Sequence, residues 1–131
     1  MRKIAFEGSY VALVTPFRKG VIDFAAAEEL VEFHVKNGTA GLVPCGTTGE
    51  SPTLTMEEHM RFVAFIVERA KGRLPVIAGT GGNSTAEAIE LSVAAAKAGA
   101  DATLQVSPYY NKPEPEGMFL HFRAIARAAR L

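Results

Sequence analysis

The feature that most restricts this chain is a rhythm. A short apolar run, a turn rich in glycine and hydroxyl residues, and an amphipathic helical stretch follow one another four times. The apolar runs are residues 8–17, with a break at Thr15-Pro16, then Leu42 to Cys45, Leu74 to Ala78, and Thr103 to Val106. After the first, Gly20 marks a turn. Asp23 can cap a helix carrying Phe24, Ala27, Leu30, Val31 and Val35 at three- and four-residue spacing, and Asn37-Gly38 stops it. After the second, Thr55 and Glu58 fit a capping box. Met60, Val63, Ala64 and Val67 then share one face of a helix that ends near Gly72. Ser84 and Glu87 repeat the box after the third run, with Ile89, Val93 and Ala96 lining a helix up to Gly99. The last helix carries Met118, Phe122, Ile125 and Ala129. Roughly 33 residues per unit is the length of a βα unit. Alternation with short apolar strands predicts an α/β fold with a parallel sheet. Two architectures satisfy that pattern: an open doubly wound sheet, or part of a (βα)8 barrel, which needs ~250 residues when complete.

The loops choose between them. The helix-to-strand turns are plain: Lys36-Asn37-Gly38, Gly72-Arg73 and Ala98-Gly99. The strand-to-helix turns hold Thr15, Thr47, Thr48, Asn83, Tyr109, Tyr110 and Asn111. In parallel α/β folds this second set gathers at the carboxyl ends of the strands, where active sites form. Contributions from all four loops favour a barrel mouth over one switch-point crevice. Gly79-Thr80-Gly81-Gly82 approaches a dinucleotide fingerprint but lacks its final spaced glycine, and no acidic residue ends the next strand.

Gly46-Thr47-Thr48-Gly49-Glu50-Ser51, between the second strand and its helix, is the richest stretch. Its glycines let backbone approach a ligand, and unpaired N–H groups in such a turn suit a carboxylate or phosphate. The bland alternative is an ordinary turn whose threonines bond their own backbone. Composition removes other classes. Lysine plus arginine equals aspartate plus glutamate, 14 each, so no basic patch points to nucleic acid. No apolar run reaches the ~18 residues of a membrane span. Met1-Arg2-Lys3 leads into Glu7-Gly8 without the apolar core of a secretory signal. The single cysteine, Cys45, excludes an internal disulfide framework and suits the cytosol.

Gly46-Thr-Thr-Gly-Glu-Ser51 together with Ser107-Pro-Tyr-Tyr-Asn-Lys-Pro113 resembles the dihydrodipicolinate synthase family, supported by Val14-Thr-Pro16 and Ala78-Gly-Thr-Gly81. The resemblance runs over essentially the whole chain, motifs in order. N-acetylneuraminate lyases and keto-deoxy-sugar aldolases share the first loop but usually lack the Tyr-Tyr-Asn-Lys/Arg-Pro loop. The family implies a (βα)8 TIM barrel that condenses pyruvate, held as a Schiff base on a lysine, with aspartate 4-semialdehyde in lysine biosynthesis. It implies a cytoplasmic homotetramer and no added cofactor or metal. Carried onto this sequence, Thr47 would be the hydroxyl of a proton relay, and Thr48 would hold the pyruvate carboxylate. Tyr110 would be the relay tyrosine reaching into a neighbouring subunit. An allosteric lysine site would use Ser51, His59, Asn83, Glu87 and Tyr109, while Met56 departs from a histidine found there in some relatives.

One residue is missing from that picture. Schiff-base chemistry needs a lysine desolvated in an apolar pocket. None of Lys3, Lys19, Lys36, Lys71, Lys97 and Lys112 ends an apolar strand. The family's catalytic lysine lies on strand six and its second relay tyrosine after strand five, beyond the four units present. Residues 1–131 therefore read as the amino-terminal half of a barrel, inactive alone, or as a non-catalytic binding or assembly module with unpaired strand edges. Other residues carry plain expectations. Cys45 packs as a small apolar side chain, and Glu50 anchors its loop. His34 and His121 are partly exposed, and His59 either sits on a helix surface or joins the lysine site. Tyr109-Tyr110 otherwise reads as aromatic packing, and Arg123, Arg127 and Arg130 form a solvated face.

Overall fold

The computed structural model describes residues 6–131. Met1-Arg2-Lys3, and with it the readings of the leader and of Lys3, lies outside them. Strand β1, Tyr10–Ala12, pairs in parallel with β4, Gly41–Val43, and β5, Ile77–Gly79, pairs in parallel with β6, Ala102–Leu104. A parallel bridge between Leu42 and Val76 joins the two pairs. The four parallel strands thus stand side by side in chain order. Helices α1 (Phe24–Lys36), α2 (Met56–Ala70), α3 (Thr85–Ala98) and α4 (Pro115–Ala129) likewise pack each on the next. A doubly wound sheet reverses its strand order and splits its helices between two faces. Sequential order with one helical layer is instead the arrangement of an arc of a βα barrel.

Each of these four parallel strands is only three residues long, shorter than its apolar run. The first run supplies β1 and then turns away at Thr15-Pro16. Phe17–Arg18 (β2) and Val21–Ile22 (β3) form a small antiparallel hairpin around Gly20. The second run leaves the ladder before Cys45, whose φ of 54° is left-handed. Val76 contributes only the bridge to Leu42, and Gln105 and Val106 lie beyond β6.

The core lies between strands and helices. Leu13, Leu42, Val76 and Ala78 point from the strands into a cluster with Ala27 and Val31 of α1 and Phe62, Val63 and Ile66 of α2. The caps are as expected at α1 and α2. Asp23 accepts from the Ala26 N–H, and Thr55 and Glu58 complete a reciprocal box. The N–H and hydroxyl of Thr55 hold the Glu58 carboxyl below its ordinary range. At α3 only half the box forms: the Ser84 hydroxyl accepts from the Glu87 N–H.

The helix faces need two corrections. In α2 the buried stripe is His59, Phe62, Val63, Ile66, Val67 and Ala70, and Ala64 is exposed. In α3 the buried residues are Ala88, Leu91, Ser92 and Ala95, so Ile89, Val93 and Ala96 are only half-buried. In α4 the expected face is right, but His121 is buried within it. Among the described residues no helix is long and apolar enough to cross a membrane.

Candidate functional site

Because all four strands run parallel, their carboxyl ends face one way. The loops after β1, β4, β5 and β6 therefore share one end of the arc, as the loop chemistry predicts. The loop after β4 is the most heavily fixed. The N–H groups of Gly49 and Glu50 donate to the carbonyls of Gly46 and Thr47, both at 3.1 Å. Those of Thr47 and Thr48 donate to no backbone carbonyl among the described residues, and both threonines are exposed. The turn offers two free N–H donors and two hydroxyls at the arc's mouth, a cradle suited to a small carboxylate.

Three neighbours pin this turn. The buried Thr15 hydroxyl donates to the Gly49 carbonyl at 2.7 Å, tying the turn to the end of β1. A Cβ on Gly49 would come within 3.0 Å of the Cys45 nitrogen and the Leu13 carbonyl oxygen. Gly79, at the end of β5, lies closer still. Its N–H donates to the Pro44 carbonyl at 2.9 Å, and an added Cβ would strike the Cys45 carbonyl. Cys45, buried and left-handed, is the corner around which these strands meet, and burial pushes its thiol up to about 12. It is the inert packing residue expected, not a nucleophile. Glu50 is exposed with a left-handed φ of 58°. Its carbonyl, not its carboxylate, does the anchoring, accepting from the Thr53 hydroxyl and N–H.

His59 adds the last pin. Only 3% exposed, it meets the Gly79 carbonyl through Nε2 at 2.7 Å and the Ser51 hydroxyl through Nδ1 at 3.5 Å. A carbonyl can only accept, so Nε2 carries the proton and Nδ1 is left as the acceptor. Burial lowers its proton affinity and the Gly79 carbonyl partly offsets this, keeping the ring neutral near pH 7. It is neither a surface residue nor simply a loose polar group.

The next two loops are joined to each other. The Asn83 side-chain carbonyl accepts from the Tyr109 N–H at 2.9 Å. Behind them, the Gln105 amide donates to the hydroxyls of Thr80 and Ser92 at 2.6 and 3.0 Å, and those hydroxyls bond each other at 2.9 Å. His121 meets the Thr85 hydroxyl through Nδ1 at 2.9 Å. This supporting network was not read from the sequence, although polar Ser92 and His121 sit at helical spacing among apolar neighbours. The loop after β6 itself stands out from the fold. Tyr109 is 53% and Tyr110 92% exposed, and both Tyr110 and Lys112 have left-handed backbones. Tyr110 makes no hydrogen bond to Thr47 among the described residues.

The structure thus brings Ser51 to His59 and Asn83 to Tyr109, and sets Thr47 and Thr48 in the free N–H turn. Glu87 is exposed on the first turn of α3. Lys19, Lys36, Lys71, Lys97 and Lys112 are all exposed, so none has the desolvation a Schiff-base lysine needs. Among the described residues no cluster of three or more histidine, cysteine or acidic side chains could hold a metal. A cavity of about 540 Å³ opens at the opposite end of the strands between Tyr10, Val67, Pro75 and Asp101, away from all these loops.

Comparison with known proteins matches residues 5–131 to the dihydrodipicolinate synthetase family. A 4-hydroxy-tetrahydrodipicolinate synthase from Parvibaculum lavamentivorans is 62% identical over 120 residues, 92% of this chain and 41% of that protein. Among solved structures, the chloride-inhibited dihydrodipicolinate synthase from Acinetobacter baumannii complexed with pyruvate superposes with TM-score 0.93 at 52% identity, covering 97% of this chain and 44% of that one. The enzyme from Cyanidioschyzon merolae with lysine bound gives 0.90 at 48%, covering 95% and 43%. The chain spans about two fifths of the length of the curated relatives it matches.

Proposed function

The chain belongs to the dihydrodipicolinate synthetase family, and from that premise we propose that it is the amino-terminal half of a (βα)8 barrel that condenses pyruvate with aspartate 4-semialdehyde. These 131 residues supply the carboxylate-binding part of that cytoplasmic enzyme's mouth. The observation that carries the reading is the Gly46–Glu50 turn, rigidly pinned yet with the Thr47 and Thr48 N–H groups free. In this reading Thr48 receives the pyruvate carboxylate and Thr47 passes protons to and from the reacting carbon. Tyr110 completes the relay in a neighbouring subunit of a homotetramer. Its near-total exposure supports a reach outward, because a buried relay tyrosine would serve only its own site. Positioned hydroxyls suit the proton transfers that imine formation and condensation require.

The imine lysine is not among these residues, so the chain alone is inactive. The exposure of every described lysine supports that reading. Borohydride reduction in the presence of pyruvate tests it. The isolated chain should gain no pyruvyl adduct. Fused to the carboxy-terminal remainder of the Parvibaculum protein, it should gain one. Thr48→Val in that fusion should raise KM for pyruvate more than it lowers kcat. A stable adduct on any of the chain's own lysines, or a fusion indifferent to Thr48, overturns the reading.

Ser51, His59, Asn83, Glu87 and Tyr109 are proposed as a lysine site, and the lysine-bound relative supports the ligand. The links from Ser51 to His59 and from Asn83 to Tyr109 gather four of the five residues into two pairs at the strand tips. Met56 withholds one polar partner, so weak binding is expected. Calorimetric titration with lysine against Glu87→Ala in the fusion is the check.

A further inference from the structure

The two free N–H groups of the Gly46–Glu50 turn are the reverse sides of peptide units whose carbonyls are tied down. A trans peptide is planar, and its C=O and N–H point in opposite directions. Every described peptide bond is trans. Fixing the carbonyl of one residue therefore aims the N–H of the next. The Gly46 carbonyl accepts from the N–H groups of Gly49 at 3.1 Å and Ser51 at 3.4 Å, which aims the Thr47 N–H. The Thr47 carbonyl accepts from the Glu50 N–H at 3.1 Å, which aims the Thr48 N–H. The Glu50 N–H is itself one side of the Gly49–Glu50 peptide. The other side of that peptide is the Gly49 carbonyl, which accepts from the Thr15 hydroxyl at 2.7 Å. From Thr15 to the Thr48 N–H the donors thus run head to tail through two peptide planes.

Thr15 has the rigidity that the fixed end of such a chain requires. It is 4% exposed. Pro16 restricts its backbone to the extended region, and branching at Cβ limits its rotamers. On one side the Leu13 N–H donates to the Val43 carbonyl at 3.0 Å, and on the other the Pro16 carbonyl accepts from the Asp23 N–H at 2.8 Å. Gly49 permits the close approach, since a Cβ there would lie 3.0 Å from the Leu13 carbonyl oxygen. Hydrogen bonds in series polarise one another, so an anion at the Thr48 N–H meets a donor that is both aimed and strengthened. The Thr47 N–H lies outside this series, because its aim comes from Gly49 and Ser51.

We propose that Thr15 is a positioning residue for the substrate carboxylate, acting through Gly49 and Glu50 on the Thr48 N–H without touching substrate. This role rests on the reading of the turn as the carboxylate cradle, and the test separates the two. In the fusion with the Parvibaculum remainder, Thr15→Val should raise KM for pyruvate about fivefold. Its kcat should stay within about twofold of the parent, because Thr47 is not aimed by Thr15, and KM for aspartate 4-semialdehyde should not move. Pyruvate should slow hydrogen exchange in the segment 45–51 less than it does in the parent. Thr15→Ser, which keeps the donor, should restore KM. Thr15→Cys, whose thiol is a weak donor of similar size, should fall between, and it carries the test if Thr15→Val does not fold. Ile66→Val, which trims a fully buried core side chain of α2, supplies a loss of stability away from the turn and should leave KM unchanged. If Thr48→Val raises KM while Thr15→Val behaves like Ile66→Val, the positioning role is overturned and the cradle stands. If neither threonine substitution moves KM, the cradle itself fails and the role falls with it. A Thr15→Val enzyme with lowered kcat and unchanged KM also overturns the role.

Discussion

The loops after β4 and β6 follow strands of equal length and face the same end of the arc, yet they are built in opposite ways. The first is held from three sides by Thr15, Gly79 and His59, and its close contacts are mainly backbone against backbone. The second is held by one bond, from the Tyr109 N–H to Asn83, and projects Tyr110 almost fully into solvent. A turn that must present N–H groups to a small anion has to be rigid, because each misplaced donor forfeits its hydrogen bond. A loop whose aromatic tip is left exposed gains its order from whatever it meets. The first loop is fixed by contacts within the described residues, and the tip of the second is left exposed.

The largest effect expected from this contrast is at Gly79. Gly79→Ala sets a methyl group against the Cys45 backbone, where no flexible side chain can give way. It should cost about 3 kcal/mol by chemical denaturation. Gly82→Ala, in the next loop with nothing within 4 Å, should change stability by less than about 0.5 kcal/mol. Equal effects at both positions would mean that the first loop is not the tightly packed one.

How far the sequence foretold this differs from residue to residue. The βα rhythm, the caps at Asp23 and Thr55 and the convergence of the loops were legible, because periodicity and capping are local properties. The face of α2 was misplaced by one position. The set Met60, Val63, Ala64 and Val67 fits helical spacing, but so does His59, Phe62, Val63, Ile66, Val67 and Ala70, which buries the two larger side chains. Counting histidine as polar hid the second stripe, and with it the link to Gly79. The left-handed backbone at Cys45 left no local signal, since it arises where three segments of chain meet. Fold family and motif positions were therefore readable, and the pins were not, because each joins residues 20 or more positions apart.

His59 comes next in expected size. His59→Ala leaves the Gly79 carbonyl without its side-chain donor and opens a cavity, costing about 2 kcal/mol. The pH dependence has a definite sign. Burial lowers the folded-state proton affinity, so below about pH 6.5 the unfolded chain takes up the proton more readily than the fold does. The stabilisation is complete above that pH and declines as pH falls through and below it. Denaturation at pH 7.5 and 5.5 should show a smaller difference for His59→Gln than for the parent. A steeper decline in the variant would contradict a neutral buried ring. Thr15→Val should follow at about 1 kcal/mol. It keeps the shape but removes the hydroxyl that reaches Gly49, and hydrogen exchange of the Gly49 and Glu50 amides should quicken along with it.

The smallest effect belongs to the other loop. At 92% exposure the Tyr110 ring is separated from solvent by almost nothing in its own chain. Tyr110→Phe should therefore leave stability within about 0.5 kcal/mol of the parent. The left-handed φ of 67° is unfavourable for any residue with a side chain. Tyr110→Gly should on that ground be neutral or slightly stabilising, by a few tenths of a kcal/mol, despite deleting a whole aromatic ring. If either substitution costs as much as Thr15→Val, the loop after β6 draws order from the chain's own packing and the contrast fails. If both are silent in stability while Tyr110→Phe lowers kcat in the complete enzyme, the strained backbone and bare ring are serving a site beyond their own barrel.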